Sequence, residues 1–151
     1  MEAKDIVNPQ PKDIDAAADV RETPTYVVDT HALYWHLSEP EQLGVAADAI
    51  FRLAEAGGAR LVIPAIVVAE IFYLTKKAGK PLSPEELIDD ISQAPGFVLS
   101  PLGAAQLRRL DMLDVPEMHD RLIAAEALTH VAPIITRDPA LHAADGISAV
   151  W

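Results

Sequence analysis

Tyr26-Val27-Val28, Leu61-Val62-Ile63, Phe97-Val98-Leu99 and Ile134-Ile135 are unbroken apolar runs too short to make a helix. An apolar run without polar alternation suits a strand covered on both faces, which is the situation of a parallel sheet. Helical patterns follow these runs along the chain, so the sequence predicts one α/β domain around a central parallel sheet. The predicted strands are Thr25 to Asp29, Arg60 to Ile63, Phe97 to Leu99, Pro133 to Thr136 and Ile147 to Val150. Helices are expected from His31 to Leu37, Gly44 to Ala56, Pro64 to Ala78, Ser83 to Ser92, Gly103 to Leu113, Met118 or His119 to Thr129, and Pro139 to Ala143. Gly57-Gly58 and Gly79 stop helices, and Ser83 with Glu86 has the pattern of a capping box. Leu33, Trp35 and Leu37 are expected in the core.

The chain is 151 residues long, the size of one ordinary domain, and half of it is hydrophobic. Residues 25–151 read as that domain. Residues 1–24, with Pro9, Pro11, Pro24 and many acids, read as a polar leader that is disordered or packs on a partner. Ile14 to Val20 is predicted as one or two helical turns within it. Cysteine is absent, which removes thiolate metal sites, iron–sulfur clusters, disulfides and a Cys nucleophile. The leader has no signal-peptide pattern, and no apolar run approaches the roughly 20 residues that span a bilayer. The cytoplasm is the expected compartment. The formal charge is -11, which argues against a broad phosphate-binding surface. No glycine-rich phosphate loop is present, so P-loop and dinucleotide binding are disfavoured.

Acidic residues interrupt or border the apolar segments. Asp29 ends the first run, Glu70 lies within Ile66 to Leu74, Asp120 opens the pattern Leu122 to Leu128, and Asp138 closes Pro133 to Thr136. A carboxylate is rarely placed in apolar surroundings unless something offsets its desolvation. Asp29 and Asp138 fall at strand ends, where ligands of open parallel sheets collect. If the acids converge, a divalent cation relieves their repulsion, and oxygen ligands suit Mg²⁺ or Mn²⁺. Each acid also has a simpler reading. Asp29 can cap the helix after it, and Asp120 can cap its own. Glu70 can pair with Lys76 or Lys77, and Asp138 can belong to an Asp-Pro turn.

The strings Asp29-Thr30-His31-Ala32-Leu33-Tyr34-Trp35, Val68-Ala69-Glu70-Ile71, Asp120-Arg121-Leu122-Ile123-Ala124-Ala125-Glu126-Ala127 and Ile134-Ile135-Thr136-Arg137-Asp138 resemble the motifs of the PIN-domain family. They look most like the VapC-type toxins of bacterial toxin–antitoxin pairs, and the likeness spans residues 25–151. The resemblance implies a three-layer α/β/α domain with a central parallel sheet. It implies a dimeric Mg²⁺- or Mn²⁺-dependent endoribonuclease, with an antitoxin as partner in toxin members. It also implies catalytic and metal-binding roles for Asp29, Glu70, Asp120 and Asp138, with Thr136 supporting the site through a water. The ending Ile147 to Trp151 resembles the family's last strand.

The function expected is therefore hydrolysis of RNA phosphodiesters by a metal-activated water. The competing readings are a metal-dependent phosphatase on the same acids and a non-catalytic RNA-binding PIN-like module. Lys77, Lys80 and Arg137 can meet a phosphate or face solvent. His119 is read as a partly exposed structural residue, and His31, His36, His130 and His142 have no metal-ligand spacing. Tyr34, Trp35, Phe72 and Tyr73 are read as core or dimer contacts.

Overall fold

The computed structural model describes residues 23–151. The leader, with the helical turns expected at Ile14 to Val20, lies outside the described residues except at its end. There the carbonyl of Pro24 accepts from the backbone N–H of Arg60 at 2.8 Å, so sheet pairing begins at the domain boundary.

A five-stranded sheet organises the domain. Its strands are β1 (Thr25–Val28), β2 (Arg60–Pro64), β3 (Phe97–Ser100), β4 (Ile134–Ile135) and β5 (Ala149–Val150), in the order β3-β2-β1-β4-β5. All pairings are parallel. Val27, Val28, Leu61, Val62, Ile63, Ile134 and Ile135 are buried on the two faces. That is why their runs show no polar alternation.

The helices are α1 (Thr30–Ser38), α2 (Val45–Glu55), α3 (Ala65–Lys77), α4 (Pro84–Gln93), α5 (Ala104–Leu107), α6 (Met118–His130) and α7 (Pro139–His142). They cover the sheet to give a three-layer α/β/α domain. The apolar residues of α6 pack on β1, α2 and α3 pack on β2, and α4 packs on β3. The Ser83 hydroxyl caps α4 by accepting from the Glu86 N–H at 3.4 Å. Gly96 turns the chain into β3 with φ 79°, and a Cβ there would stand 2.7 Å from the Ala59 carbonyl. Only glycine meets both conditions without strain.

Two expected elements differ. Gly103 to Leu113 is not one helix: α5 ends at Leu107, and a 3₁₀ turn covers Leu110–Met112. The N–H groups of Arg109, Met112 and Leu113 bond three residues back. Leu107 and Met112 are exposed, so a continued α-helix has no apolar stripe to bury, whereas the extended chain after the turn carries Leu113 and Val115 into the core. The last strand pairs only at Ala149 and Val150. Leu37, expected in the core, is exposed at the end of α1, while Leu33 is buried. Among the described residues, no helix is long and apolar enough to cross a membrane.

The strand order places the site. Successive connections run outward from β1 through β2 to β3, and then back to β4 on the other side of β1. The carboxyl ends of β1 and β4 therefore flank the point where the topology reverses, and a crevice opens there.

Candidate metal centre

Asp29 is the first residue beyond β1 and the N-cap of α1. Its Oδ1 accepts from the Thr30 N–H at 2.7 Å, and its Oδ2 accepts from the Thr136 hydroxyl at 2.6 Å. The residue is buried, and burial raises its pKa above the usual carboxylate value against the opposing effect of those two hydrogen bonds. Capping and a place in the crevice are thus the same geometry: a residue that ends a parallel strand and caps the next helix must face the strand ends.

Thr136, fully buried after β4, ties two acids together. Its hydroxyl donates to Asp29 and accepts from the backbone N–H of Asp138 at 3.0 Å. Asp138 then caps α7, with Oδ1 accepting from the Ala140 N–H at 2.8 Å. The Asp-Pro sequence that suggested a simple turn is the start of that helix. Thr136→Val keeps the shape and removes the hydroxyl. It leaves the Asp29 oxygen and the Asp138 N–H without this partner, so we expect about 1–3 kcal/mol of lost stability in urea unfolding. An unchanged denaturation midpoint would show that Thr136 does not hold the two acids.

Glu70 comes from the middle of α3. Its Oε1 accepts from the Thr30 hydroxyl at 2.8 Å, and its Oε2 lies 3.7 Å from His119 Nδ1. These contacts replace the pairing with Lys76 or Lys77 that its spacing allowed. Burial raises its pKa, with Thr30 and His119 opposing. His119 also stands 3.0 Å from Glu117 Oε1, so it bridges two glutamates at the cleft margin.

Asp120 lies in the first turn of α6, but Glu117 is the cap: Glu117 Oε2 accepts from the Asp120 N–H at 2.7 Å. Arg121 bonds the Val115 carbonyl at 2.6 Å rather than pairing with Glu117. The Asp120 carboxyl is left to face the crevice. Desolvation, then repulsion from Asp138 and Asp29 and a hydrogen bond shared with Asp138, push its pKa up to about 7.

One cavity of about 340 Å³ is lined by Asp29, Glu70, Asp120 and Asp138 together with Thr30, His31, Trp35, Arg137 and Pro139. All four expected acids meet there. Trp35 is a correction: it forms part of the cleft wall instead of the core, with the Arg137 guanidinium 4.5 Å from its ring centroid. Its place among the apolar residues of α1 gave no signal of this. Nor did the sequence indicate the Thr30 contact to Glu70, because that contact joins α1 to α3 across forty positions.

Among the described residues, no group of three or more Asp, Glu or His side chains stands close enough to grip a cation as it is. The residues nevertheless fit a hard divalent ion. The acids supply oxygen donors, they face one opening, and an aspartate held near pKa 7 carries charge that its neighbours resist and a cation would offset.

The PIN domain family matches the chain over residues 26–147. Among the solved structures that share the fold are two toxin-related ones. The VapBC2 complex from Rickettsia felis, bound to a DNA fragment from its promoter, is similar to this chain at TM-score 0.66 and 16% identity, covering 84% of this chain and 98% of that one. A toxin–antitoxin complex from Klebsiella pneumoniae is similar at TM-score 0.58 and 20% identity, covering 83% and 96%. No curated protein matches the sequence significantly.

Proposed function

This chain belongs to the PIN-domain family, and from that premise we propose that it is a Mg²⁺- or Mn²⁺-dependent ribonuclease. The observation that carries the reading is the convergence of Asp29, Glu70, Asp120 and Asp138 on one cleft, where desolvation and then repulsion from Asp138 and Asp29 lift Asp120 to about pKa 7. Asp29, Asp120 and Asp138 would hold the metal, and Glu70 would bind it directly or through water. When bound, the ion supplies an activated water and neutralises charge on the phosphoryl oxygens.

The chain's own groups set up that chemistry. Thr136 and the Thr30 N–H fix both oxygens of Asp29, so the carboxylate keeps one orientation. The Thr30 hydroxyl aims Glu70, whose raised pKa suits it to take a proton from water and release it to the leaving oxygen. Asp120, near pKa 7, gives up its proton readily when positive charge arrives. No protein nucleophile takes part.

Partners are part of the reading. RNA is the substrate, and the cytoplasm is its setting. An antitoxin is proposed because one of the similar structures is described as a toxin–antitoxin complex and another as VapBC2, whose VapC part carries the likeness to VapC-type toxins. A homodimer is proposed from Leu37 of α1 with Val45 and Leu53 of α2, apolar residues left exposed on early helices. Sedimentation should give twice the 16.3 kDa chain mass, and a monomer at all concentrations would remove the dimer.

The test of function is cleavage of a mixed RNA pool with Mn²⁺ and with EDTA, beside a phosphomonoester substrate. Metal-dependent RNA cleavage is the expected result. Phosphomonoester hydrolysis without RNA cleavage would replace the reading with a phosphatase, and RNA binding without any turnover would replace it with a binding module.

A further inference from the structure

Four of the nine residues lining the cleft are acids, in a chain of charge -11, yet its proposed substrate is a polyanion. Something must hold the strand against that field. Of the residues lining the cleft, Arg137 is the one Lys or Arg. The lysines near the end of α3 line no part of it. Arg137 is exposed and ion-pairs with no acid among the described residues, although Asp138 is its neighbour in sequence. Its guanidinium carbon instead lies 4.5 Å from the centroid of the Trp35 ring.

That ring is itself supported. Trp151 meets Trp35 edge to face at 5.7 Å between centroids, and the Trp151 carbonyl accepts from the Ala46 N–H at 3.2 Å. Gly44 closes behind: a Cβ there would come within 2.5 Å of the Trp151 backbone. The start of α2 and the end of the chain therefore set the plane on which Arg137 rests. An indole face attracts a guanidinium, and stacking leaves the rim of N–H donors available for a planar, bidentate contact. A side chain parked in this way loses little further freedom when it grips an anion.

We propose that Arg137, positioned by Trp35, binds a phosphate of the RNA strand as it lies in the cleft and is the contact that brings a polyanion to an acidic site. This rests on the ribonuclease reading and adds to it the group that recognises substrate. Arg137 touches substrate, whereas Trp35 acts through it. Because the contact exists before bond breaking, its loss falls on KM more than on kcat.

The experiment uses the full chain carrying Asp120→Asn, expected to slow turnover enough for equilibrium binding, with fluorescein-labelled mixed-sequence single-stranded RNA in Mn²⁺. Adding Arg137→Ala should weaken Kd about tenfold or more, as loss of a charge-assisted contact does. It should also lower the slope of log K against log salt by about 0.7, the loss of one phosphate contact on a single strand. Arg137→Lys should keep the slope and still bind severalfold more weakly, since it retains charge without the fork. Trp35→Leu should weaken binding, and Trp35→Phe should restore most of it. Circular dichroism of the exposed Arg137 variants checks that they remain folded. In the otherwise wild-type chain, Arg137→Ala should raise KM with a smaller change in kcat. Equal Kd and equal salt slope for Arg137→Ala and its parent would overturn the proposal, while metal-dependent cleavage by the wild type would leave the ribonuclease reading standing. A wild type that neither cleaves nor binds RNA would overturn that reading and this proposal together.

Discussion

Asp120→Asn is expected to lower Mn²⁺-dependent RNA cleavage by at least ~100-fold while the protein stays folded. The comparison for magnitude is that removing partners one step beyond a metal ligand costs about 10–100-fold, so removing a ligand costs more. The fold should survive because the Asp120 carboxyl is not the helix cap. Its N–H is held by Glu117, and its carboxyl lies in a cleft where desolvation and the charges of Asp138 and Asp29 oppose its ionisation. The neutral amide has the same shape and removes that repulsion. Without metal, the variant should therefore melt at or above the wild type at neutral pH. Cleavage rates for both proteins, with Mn²⁺ and with EDTA, give the answer. Undiminished cleavage by the variant would take Asp120 out of the site, and unfolding of the variant would assign it a structural role instead.

The second large effect is on stability, and it depends on pH. Asp120 binds its proton more tightly when folded, with the pKa raised from 3.8 to about 7, and Asp29 and Glu70 are shifted in the same direction. A raised carboxyl contributes stability that is complete below the unfolded pKa and is lost as pH rises through the folded pKa. For Asp120 that window runs from about pH 4 to about 7. Its share is on the order of 1–2 kcal/mol after discounting for its contact with water. The metal-free wild type should lose that much relative to Asp120→Asn across the window. Mn²⁺ at 100 times its Kd then adds about 2.7 kcal/mol to the native state, or roughly 5–10 °C in Tm for a domain of this size. The gain should be larger at pH 8 than at pH 5.5, because the ion displaces the proton. Thermal melts of both proteins at the two pH values, with and without Mn²⁺, measure all of this. A wild type whose Tm rises relative to the variant between pH 4 and 7, or an equal Mn²⁺ response in both, would contradict a site built on Asp120.

Much of this architecture can be read in one dimension because its causes are local. Buried parallel strands leave unbroken apolar runs, as at Leu61 to Ile63 and Ile134-Ile135, and the helices between them carry caps and glycine stops. The four acids stand out for the same reason: charge set beside apolar residues is conspicuous wherever it later sits. Where local signals were weak, the expectation drifted. Ala104 to Leu110 is rich in helix-forming residues, and the missing surface against which Leu107 and Met112 could be buried splits the expected helix. Convergence of the acids is a different kind of fact. It depends on strand order, since only the placing of β4 beside β1 brings Thr136 within 2.6 Å of Asp29 across 107 positions. The hydrogen bond from Thr30 to Glu70, the seating of Arg137 on the Trp35 ring and the edge-to-face contact of Trp35 with Trp151 are likewise contacts between elements far apart in the chain. Sequence determined which segments form and which of them carry charge, because propensity and burial act over a few residues. Tertiary structure alone decided which charges meet, at what distance and with what shift in pKa. Coulomb and desolvation energies depend on separation in space, and the order of residues along the chain does not encode it directly.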